Sequence, residues 1–562
     1  MLSPREFIHV FLSAFLLCFV PTRGADWKPD PSMSLPAQRL QLYKIGRDYC
    51  DSHFDPSTNM ILRDTKKPHP HMVSISVAYA QGLLMTKDPT DRAKAETILR
   101  AVLEKQDLRK DSPTYGSFLP YQEDDWASAV NPDPNYGQFV GLGLAGILDQ
   151  DNKQGKLLPP DLRKDIEEAV RHAVEFTIRR DVDPGYINIS LMSAALGAAG
   201  AKLLNFPGAN DFAMSKIEWI LARAQPGTTF TEYLAPTYYG TDLGGAYALK
   251  SFATTPELKS ATDQLITAFW KDIAASYHAP TLQLAGPNSR SYGDNMLEYA
   301  AGLKYFLMFA LNGKYPLSDT ETEHSWDCAG LMGMAEAQIE PRAEFQEPTV
   351  PWREIQVMGR PGMTLRQYRD GDLVVGSVST QSVWQQQRNV VAYWPIKTPS
   401  WDVGYCLDES SMTFGNGYAH FFSTQVKNAV LVALTGKMPI PAAGGISLVF
   451  NDAAQGNPLD GGPPGSCQVQ DGDTSVYIYP ITQSGGTMVF RKDDEKKRGY
   501  VERPWSSADH VGNVGILSYL VVFRNPGEPA PVVKNITFSP SEKSTTFTAE
   551  VNGSVLSLQA PN

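Results

Sequence analysis

Residues 340–351 read EPRAEFQEPTVP, a run dense in proline and charge that supports neither a helix nor a strand. The hydrophobic period differs on its two sides. Before it, apolar residues recur every three or four positions over 36–49, 71–85, 92–106, 136–148, 160–179, 189–204, 211–224, 243–252, 257–277, 295–311 and 322–337. Proline- and glycine-bearing breaks at 131–135, 183–185 and 206–208 separate them. After it come short β-rich runs at 363–368, 373–379, 390–395, 429–434, 446–450, 475–479, 487–491 and 516–524. Turn pairs Asp370-Gly371, Asn416-Gly417 and Asp471-Gly472 punctuate these runs. The fold class that follows is α+β multidomain. Helical hairpins occupy residues 25–337, a linker spans 338–351, and an antiparallel β-sandwich fills 352–562. The hairpins close into an α/α toroid or stack as an open α-solenoid. No 34-residue repeat is visible, which disfavours the regular solenoid.

Working outward to the ends, residues 1–24 have the layout of a signal peptide. Arg5 is followed by a mostly apolar stretch over 7–20, broken by His9 and Ser13, with small Thr22 and Gly24 before Ala25. The stretch is short for a spanning helix, which needs ~20 apolar residues. No later segment reads as apolar enough to span, so the expectation is a secreted chain without a membrane partner. Charged residues make up 20% of the 562, ordinary for a globular protein, and the net charge is −11. Removing Arg5, Glu6 and Arg23 makes it one unit more negative. An acidic surface argues against nucleic acid as a partner, and an anionic ligand would need a local basic cleft. Outside the leader, Cys50, Cys328, Cys406 and Cys467 allow one or two disulfides without fixing a pairing. Their spacing fits no zinc template, no organic cofactor motif is present, and a structural divalent metal stays open. Sequons stand at Asn188, Asn535 and Asn552.

Three segments of the helical half carry polar and aromatic residues that a purely structural helix does not need. Gly185-Tyr-Ile-Asn-Ile-Ser190 puts Asn188 at the start of an apolar helix, where N-capping is the plainer role. Phe230-Thr-Glu-Tyr-Leu-Ala-Pro-Thr-Tyr-Tyr-Gly240 reads as a loop gathering Tyr233, Tyr238 and Tyr239 around Glu232; aromatic packing is its plainer role. Ala285-Gly-Pro-Asn-Ser-Arg-Ser-Tyr-Gly293 presents Asn288, Arg290 and Tyr292 from a turn-rich backbone. In the second half, Trp384-Gln-Gln-Gln-Arg388 offers an aromatic, amides and a guanidinium that reach toward the helical domain or decorate an edge. His69-Pro-His71 is a weak metal pair, and Asp493–Arg498 reads as a solvated turn.

The order of these segments resembles the polysaccharide lyases built from an α/α toroid and a C-terminal β-sandwich, the chondroitin/hyaluronate lyase and heparinase II/III-like groups. Those families use an Asn opening a helix, a Tyr-rich stretch ending near Tyr-Gly, and an Arg in a Gly/Ser-rich loop. Asn188, Tyr238-Tyr239-Gly240 and Arg290 match that order over about 25 residues of motif. The resemblance implies cleavage of an acidic polysaccharide by β-elimination, with Asn188 and Arg290 neutralising the uronate carboxylate. Tyr238 or Tyr239 is then the expected base and acid, and Tyr233, Glu232, Tyr292, Asn288, Trp384 and Arg388 are the residues expected to bind substrate. The sequence departs from the chondroitin-type pattern in having no His shortly before the Tyr; His278 and His324 are the nearest in sequence.

The chemistry asks for such residues. The C5 proton of a 4-linked uronate is weakly acidic, and neutralising the adjacent carboxylate stabilises the charge that builds as it leaves. A tyrosine, with an ordinary pKa of about 10, serves as base only if a cation depresses that value. Two other readings stand beside this one. Glu232, Asp242, Asp294 and Glu298 flank the same segments, and paired carboxylates would make an inverting glycoside hydrolase. A non-catalytic glycan-binding protein is the third.

Overall fold

The computed structural model describes residues 35–562 apart from 64–67, 87, 130–131, 301, 317–338, 397–402, 415–416, 438–443, 461, 482–485 and 507. The leader, the expected helix at 322–337, His324 and Cys328 lie outside the described residues.

The helices are α1 (Leu35–His53), α2 (Val73–Leu84), α3 (Pro89–Leu103), α4 (Tyr136–Gln154), α5 (Pro160–Arg180), α6 (Ile187–Leu204), α7 (Ala209–Leu221), α8 (Pro236–Phe252), α9 (Pro256–Ser276) and α10 (Leu303–Ala310). From α2 onward they alternate between two layers. The even-numbered helices touch one another in succession, and odd-numbered α3, α5, α7 and α9 lie outside them. The side-by-side hairpins form an α/α toroid. Composition explains the layering. Outer α5, PDLRKDIEEAVRHAVEFTIRR, is amphipathic and buries one stripe, whereas inner α6, INISLMSAALGAAGAKLL, is covered on every side and apolar almost all round. By length and composition α6 could cross a membrane, which corrects the expectation that no later segment could; here 78% of it is buried inside the protein.

Two sequence boundaries move. Tyr238 and Tyr239, expected in a loop, lie in the first turn of α8, because Pro236 supplies a helical φ without needing a backbone donor. Asn188, expected as an N-cap, is the second residue of α6, and Tyr186 holds the cap position.

The C-terminal half has two large sheets. In one, the strands Ala419–Val426, Ala429–Lys437, Val514–Arg524 and Thr474–Pro480 are successive antiparallel neighbours. In the other, Thr364–Asp370, Leu373–Val378, Val390–Pro395, Val403–Asp408 and Gly445–Asn451 run in that order. Many of these strands are buried on both faces, and alternation along them shows why. Val375, Ala392, Trp394 and Cys406 face the opposite sheet, while Val374, Val391, Tyr393 and Tyr405 pack with Ala285 of the helical domain. Leu431, Leu520 and Tyr477, on the outer face of the first sheet, are covered by a three-stranded sheet bearing Phe547 and Leu558. Strands covered on both faces read as continuous apolar runs instead of alternating ones. Cys406 and Cys467 are buried free thiols, which corrects the expectation that disulfides could involve them.

A seam joins the halves. Thr228–Thr229 pairs in parallel with Trp352–Val357, and Asn288 forms a β-bridge with Arg388. A Cβ placed on Gly376 would sit 1.8 Å from the Gly286 carbonyl oxygen, so the strand and the loop meet backbone to backbone. Arg498 grips buried Asp294 with Nε and Nη2, each at 2.5 Å, and the Tyr405 hydroxyl donates to the same carboxylate at 3.0 Å.

Candidate active site

Beside the seam, side chains from four places in the chain come close to one another. α6 delivers Asn188, 1% exposed, whose backbone N–H and Nδ2 both donate to Glu232, at 2.8 and 2.7 Å. Glu232 therefore takes a helix N-terminal donor and a side-chain amide at once. Burial pushes its carboxyl from 4.5 to about 7, against the Asn188 hydrogen bonds and the Arg290 charge. Asp242, six residues along α8 from Pro236, is 0% exposed and neither of its oxygens has a partner among the described residues. Burial and the neighbouring Glu232 push the Asp242 carboxyl well above the usual carboxylate range.

Arg290 lies between aromatic faces. Its guanidinium carbon is 4.1 Å from the Tyr238 ring centroid, 4.7 Å from that of Trp384 and 5.7 Å from that of Tyr292. Its Nε donates to Gln386 Oε1 at 2.8 Å. It makes no ion pair with a carboxylate among the described residues, which leaves its Nη donors and its charge for a ligand. The Tyr238 and Tyr292 hydroxyls lie 2.8 Å apart, sharing a proton donor and acceptor. Burial, followed by Tyr292, raises the Tyr238 pKa, and Arg290 opposes that shift only in part. Tyr238 is thus a protonated phenol at neutral pH. Tyr186 completes the rim, 36% exposed.

The sequence candidates thus divide. Asn188, Glu232, Tyr238, Arg290, Tyr292 and Trp384 come together. Tyr239 does not join them: it is 0% exposed, and its hydroxyl donates to Asp272 at 2.6 Å within the core, out of reach of a ligand in the cleft. Tyr233 is also in the interior, donating to Gln381 Oε1 at 2.8 Å across the seam. Asn288 Nδ2 donates to the Leu234 carbonyl at 2.6 Å, and buried Arg388 pairs with Glu409 at 2.7 Å. Both are fasteners of the seam, because the β-bridge between them turns their side chains into the protein. His278 is buried between Thr281 and the Gly371 carbonyl, with its pKa lowered to about 4 by burial, away from the cleft residues.

Of the other carboxylates, Asp294 is spent on Arg498, and Glu298 is exposed. His71 uses both ring nitrogens on Glu123 and Asp55, and His69 pairs with Asp124. No cluster of three or more His, Cys, Asp or Glu fit to hold a metal occurs among the described residues. Gln386, which aims Arg290 and carries a φ of +77°, and Tyr186 were not singled out from sequence. The Gln run and the position two before Asn188 were the available signals.

Among solved structures the chain is similar to heparinase III, at 12% identity and a TM-score of 0.45 over 99% of this chain and 97% of that one. It is also similar to the heparan sulfate lyase HepC from Pedobacter heparinus, at 9% and 0.38 over 96% and 91%. A third is the baculovirus envelope protein ODV-E66, a chondroitin lyase, at 8% and 0.33 over 98% and 89%. Nothing about the site is carried over from these likenesses. No curated protein matches the sequence. The family described as "Domain of unknown function (DUF8769)" matches residues 40–336, just over half of the chain, and the chain belongs to that family.

Proposed function

We propose that this DUF8769 member is an exported polysaccharide lyase that cleaves a uronate-containing glycan by β-elimination. One observation carries the reading: a hydroxyl pair, Tyr238 and Tyr292 at 2.8 Å, lies beside an arginine held by ring faces and an amide instead of by a carboxylate. That arrangement suits an anionic substrate whose proton moves between oxygens. The Arg290 Nη groups hold the uronate carboxylate, and the second hydrogen of Asn188 Nδ2 adds a donor beside it. Glu232 stands next to them. With its pKa near 7 it accepts a proton, which removes the repulsion a carboxylate would meet.

The tyrosine pair acts with one proton missing. The tyrosinate oxygen takes the C5 proton, the electron pair forms the C4–C5 double bond, and the C4–O4 bond breaks. The same pair then returns the proton to O4, so the enzyme ends as it began. Arg290 over the Tyr238 ring favours the tyrosinate, while burial opposes it. Neutral Tyr238 is the ready acid, and the tyrosinate is scarce at neutral pH.

The carboxylate-pair reading draws on Glu232 and Asp242, both raised by burial. Asp242 is fully buried, so that reading is the weaker. Incubating the protein with a panel of acidic polysaccharides decides between them. A lyase releases an unsaturated, ultraviolet-absorbing end, a hydrolase a reducing sugar without it, and a binding protein neither. Reducing ends without ultraviolet absorbance would overturn the proposal. N-terminal sequencing of the protein from culture medium tests export, with Ala25 the expected first residue.

A further inference from the structure

A second arginine near the cleft lacks a carboxylate partner among the described residues. Arg180 ends α5, and the chain turns through 183–185 into Tyr186 and α6. Its guanidinium is half-buried among neutral amides: Nη1 donates to Gln138 Oε1 at 3.1 Å and Nη2 to Asn135 Oδ1 at 2.8 Å. Asn135 Nδ2 in turn donates to the Tyr186 hydroxyl at 3.4 Å. Asp133, two residues before Asn135, accepts the Asn135 backbone N–H at 3.0 Å and acts on the Arg180 charge without forming an ion pair with it. Asn135 thus ties Arg180 to Tyr186, and the Arg290 charge also acts on the Tyr186 hydroxyl. The rim therefore runs from Arg180 and Asn135, across an exposed tyrosine ring, to Arg290 and its tyrosines.

A partly desolvated cation whose hydrogen bonds all go to neutral acceptors costs free energy that an arriving anion offsets. Holding α4 against α5 does not require charge, since a glutamine would make comparable bonds to the same amides. We propose that Arg180, with Asn135 and the ring of Tyr186, holds an acidic group on the sugar next to the uronate bound at Arg290. The cleft then selects chains in which neighbouring residues are both acidic. The group is a carboxylate or a sulfate ester; both present oxygens that a guanidinium fork matches. This rests on the lyase reading, which puts the cleaved uronate at Arg290.

The test compares the wild-type chain with Arg180→Gln on three substrates. These are a homopolyuronate, a uronate chain alternating with a neutral sugar, and the same alternating chain sulfated on that sugar. A hydrogen bond to a charged group contributes ~1.5–3 kcal/mol, so KM is expected to rise about 10- to 100-fold on the chains with neighbouring acids. The effect should fall on KM more than on kcat and be at least tenfold smaller on the neutral-spaced chain. A rise on the homopolyuronate alone assigns a carboxylate, and a rise on the sulfated chain alone a sulfate. An equal change on all three substrates, or none, overturns the proposal and leaves Arg180 as a tether between helices. Titration calorimetry with tetrasaccharides of the three chains keeps the two readings apart. If the wild type binds acidic-neighbour tetramers better, and Arg180→Gln loses that preference without any unsaturated product, the lyase reading falls and the subsite stands. If the wild type shows no such preference, the subsite falls.

Discussion

The seam between the domains and the cleft beside it use the same kinds of residue to opposite ends. At the seam Asp294 is matched by Arg498 and Tyr405 and Arg388 by Glu409, while Arg369 donates to the Ala275 and Tyr277 carbonyls. In the cleft, the hydrogen bonds and ring contacts of Arg290 and Arg180 are to amides and aromatic rings. The loop at residues 285–294 crosses from one regime to the other. Gly286, Asn288 and Asp294 are locked to the second domain, and Arg290 and Tyr292 project between those fixed points.

The largest test of that contrast sets two adjacent tyrosines against each other. Tyr238→Phe should lower turnover on the cleaved glycan by ~10²–10⁴-fold with an unchanged melting temperature. Tyr239→Phe should leave the chemistry intact and lower stability by about 1–3 kcal/mol, because buried Asp272 loses a donor. Rates of ultraviolet-absorbing product and thermal unfolding together read both, and a reversal of the pattern would put the wrong tyrosine in the cleft.

Breaking the seam comes next. Asp294→Ala leaves enclosed Arg498 with only the more distant Glu409, at 4.0 Å, as an anion and should cost up to about 3–5 kcal/mol in denaturant unfolding. A loss below 1 kcal/mol would show that the seam does not depend on that pair.

Arg290→Lys keeps a positive charge but loses the flat fork that lies against Tyr238 and Trp384. A drop of ~10²-fold in kcat is expected at unchanged stability, the size seen when one charge-stabilising donor is removed. Since burial raises the Tyr238 pKa, wild-type kcat/KM should climb through the alkaline range, and in Arg290→Gln that climb should move to higher pH. A flat profile would count against a tyrosine base.

The smallest effect is a slope. Glu232 has a folded pKa near 7 against an ordinary 4.5, so folding takes up a proton between those values. Its contribution to stability is present below pH 4.5 and is lost as pH rises through about 7. Glu232→Gln should flatten that decline, which for one proton is no steeper than about 1.4 kcal/mol per pH unit. Urea midpoints across the interval measure it, and an unchanged slope would show that Glu232 titrates normally.

Much of the architecture was legible from local pattern. The change of hydrophobic period at residues 340–351 marks where helices give way to strands, because a buried stripe repeats every 3.6 residues and a buried sheet face every two. The strand at Val390–Pro395 coincides with its apolar run, and Asp494–Lys497 forms the turn between Val489–Asp493 and Arg498–Pro504. The strands Val403–Asp408 and Ala419–Val426 were missed. Val403–Asp408 is covered on both faces and shows no alternation, and Ala419–Val426 carries polar residues on the face it half-exposes.

The sequence by itself determined the two halves, their order, and a short list of residues from which the cleft is drawn. Only the tertiary structure decided which of them meet. Tyr238 and Tyr239 are neighbours in sequence, yet a helix turns successive side chains by about 100°, one toward the rim and the other into the core. Arg290 and Arg388 look alike on paper. One lacks an anion and the other has Glu409, because pairing is settled by which distant segment each guanidinium faces once the halves have docked.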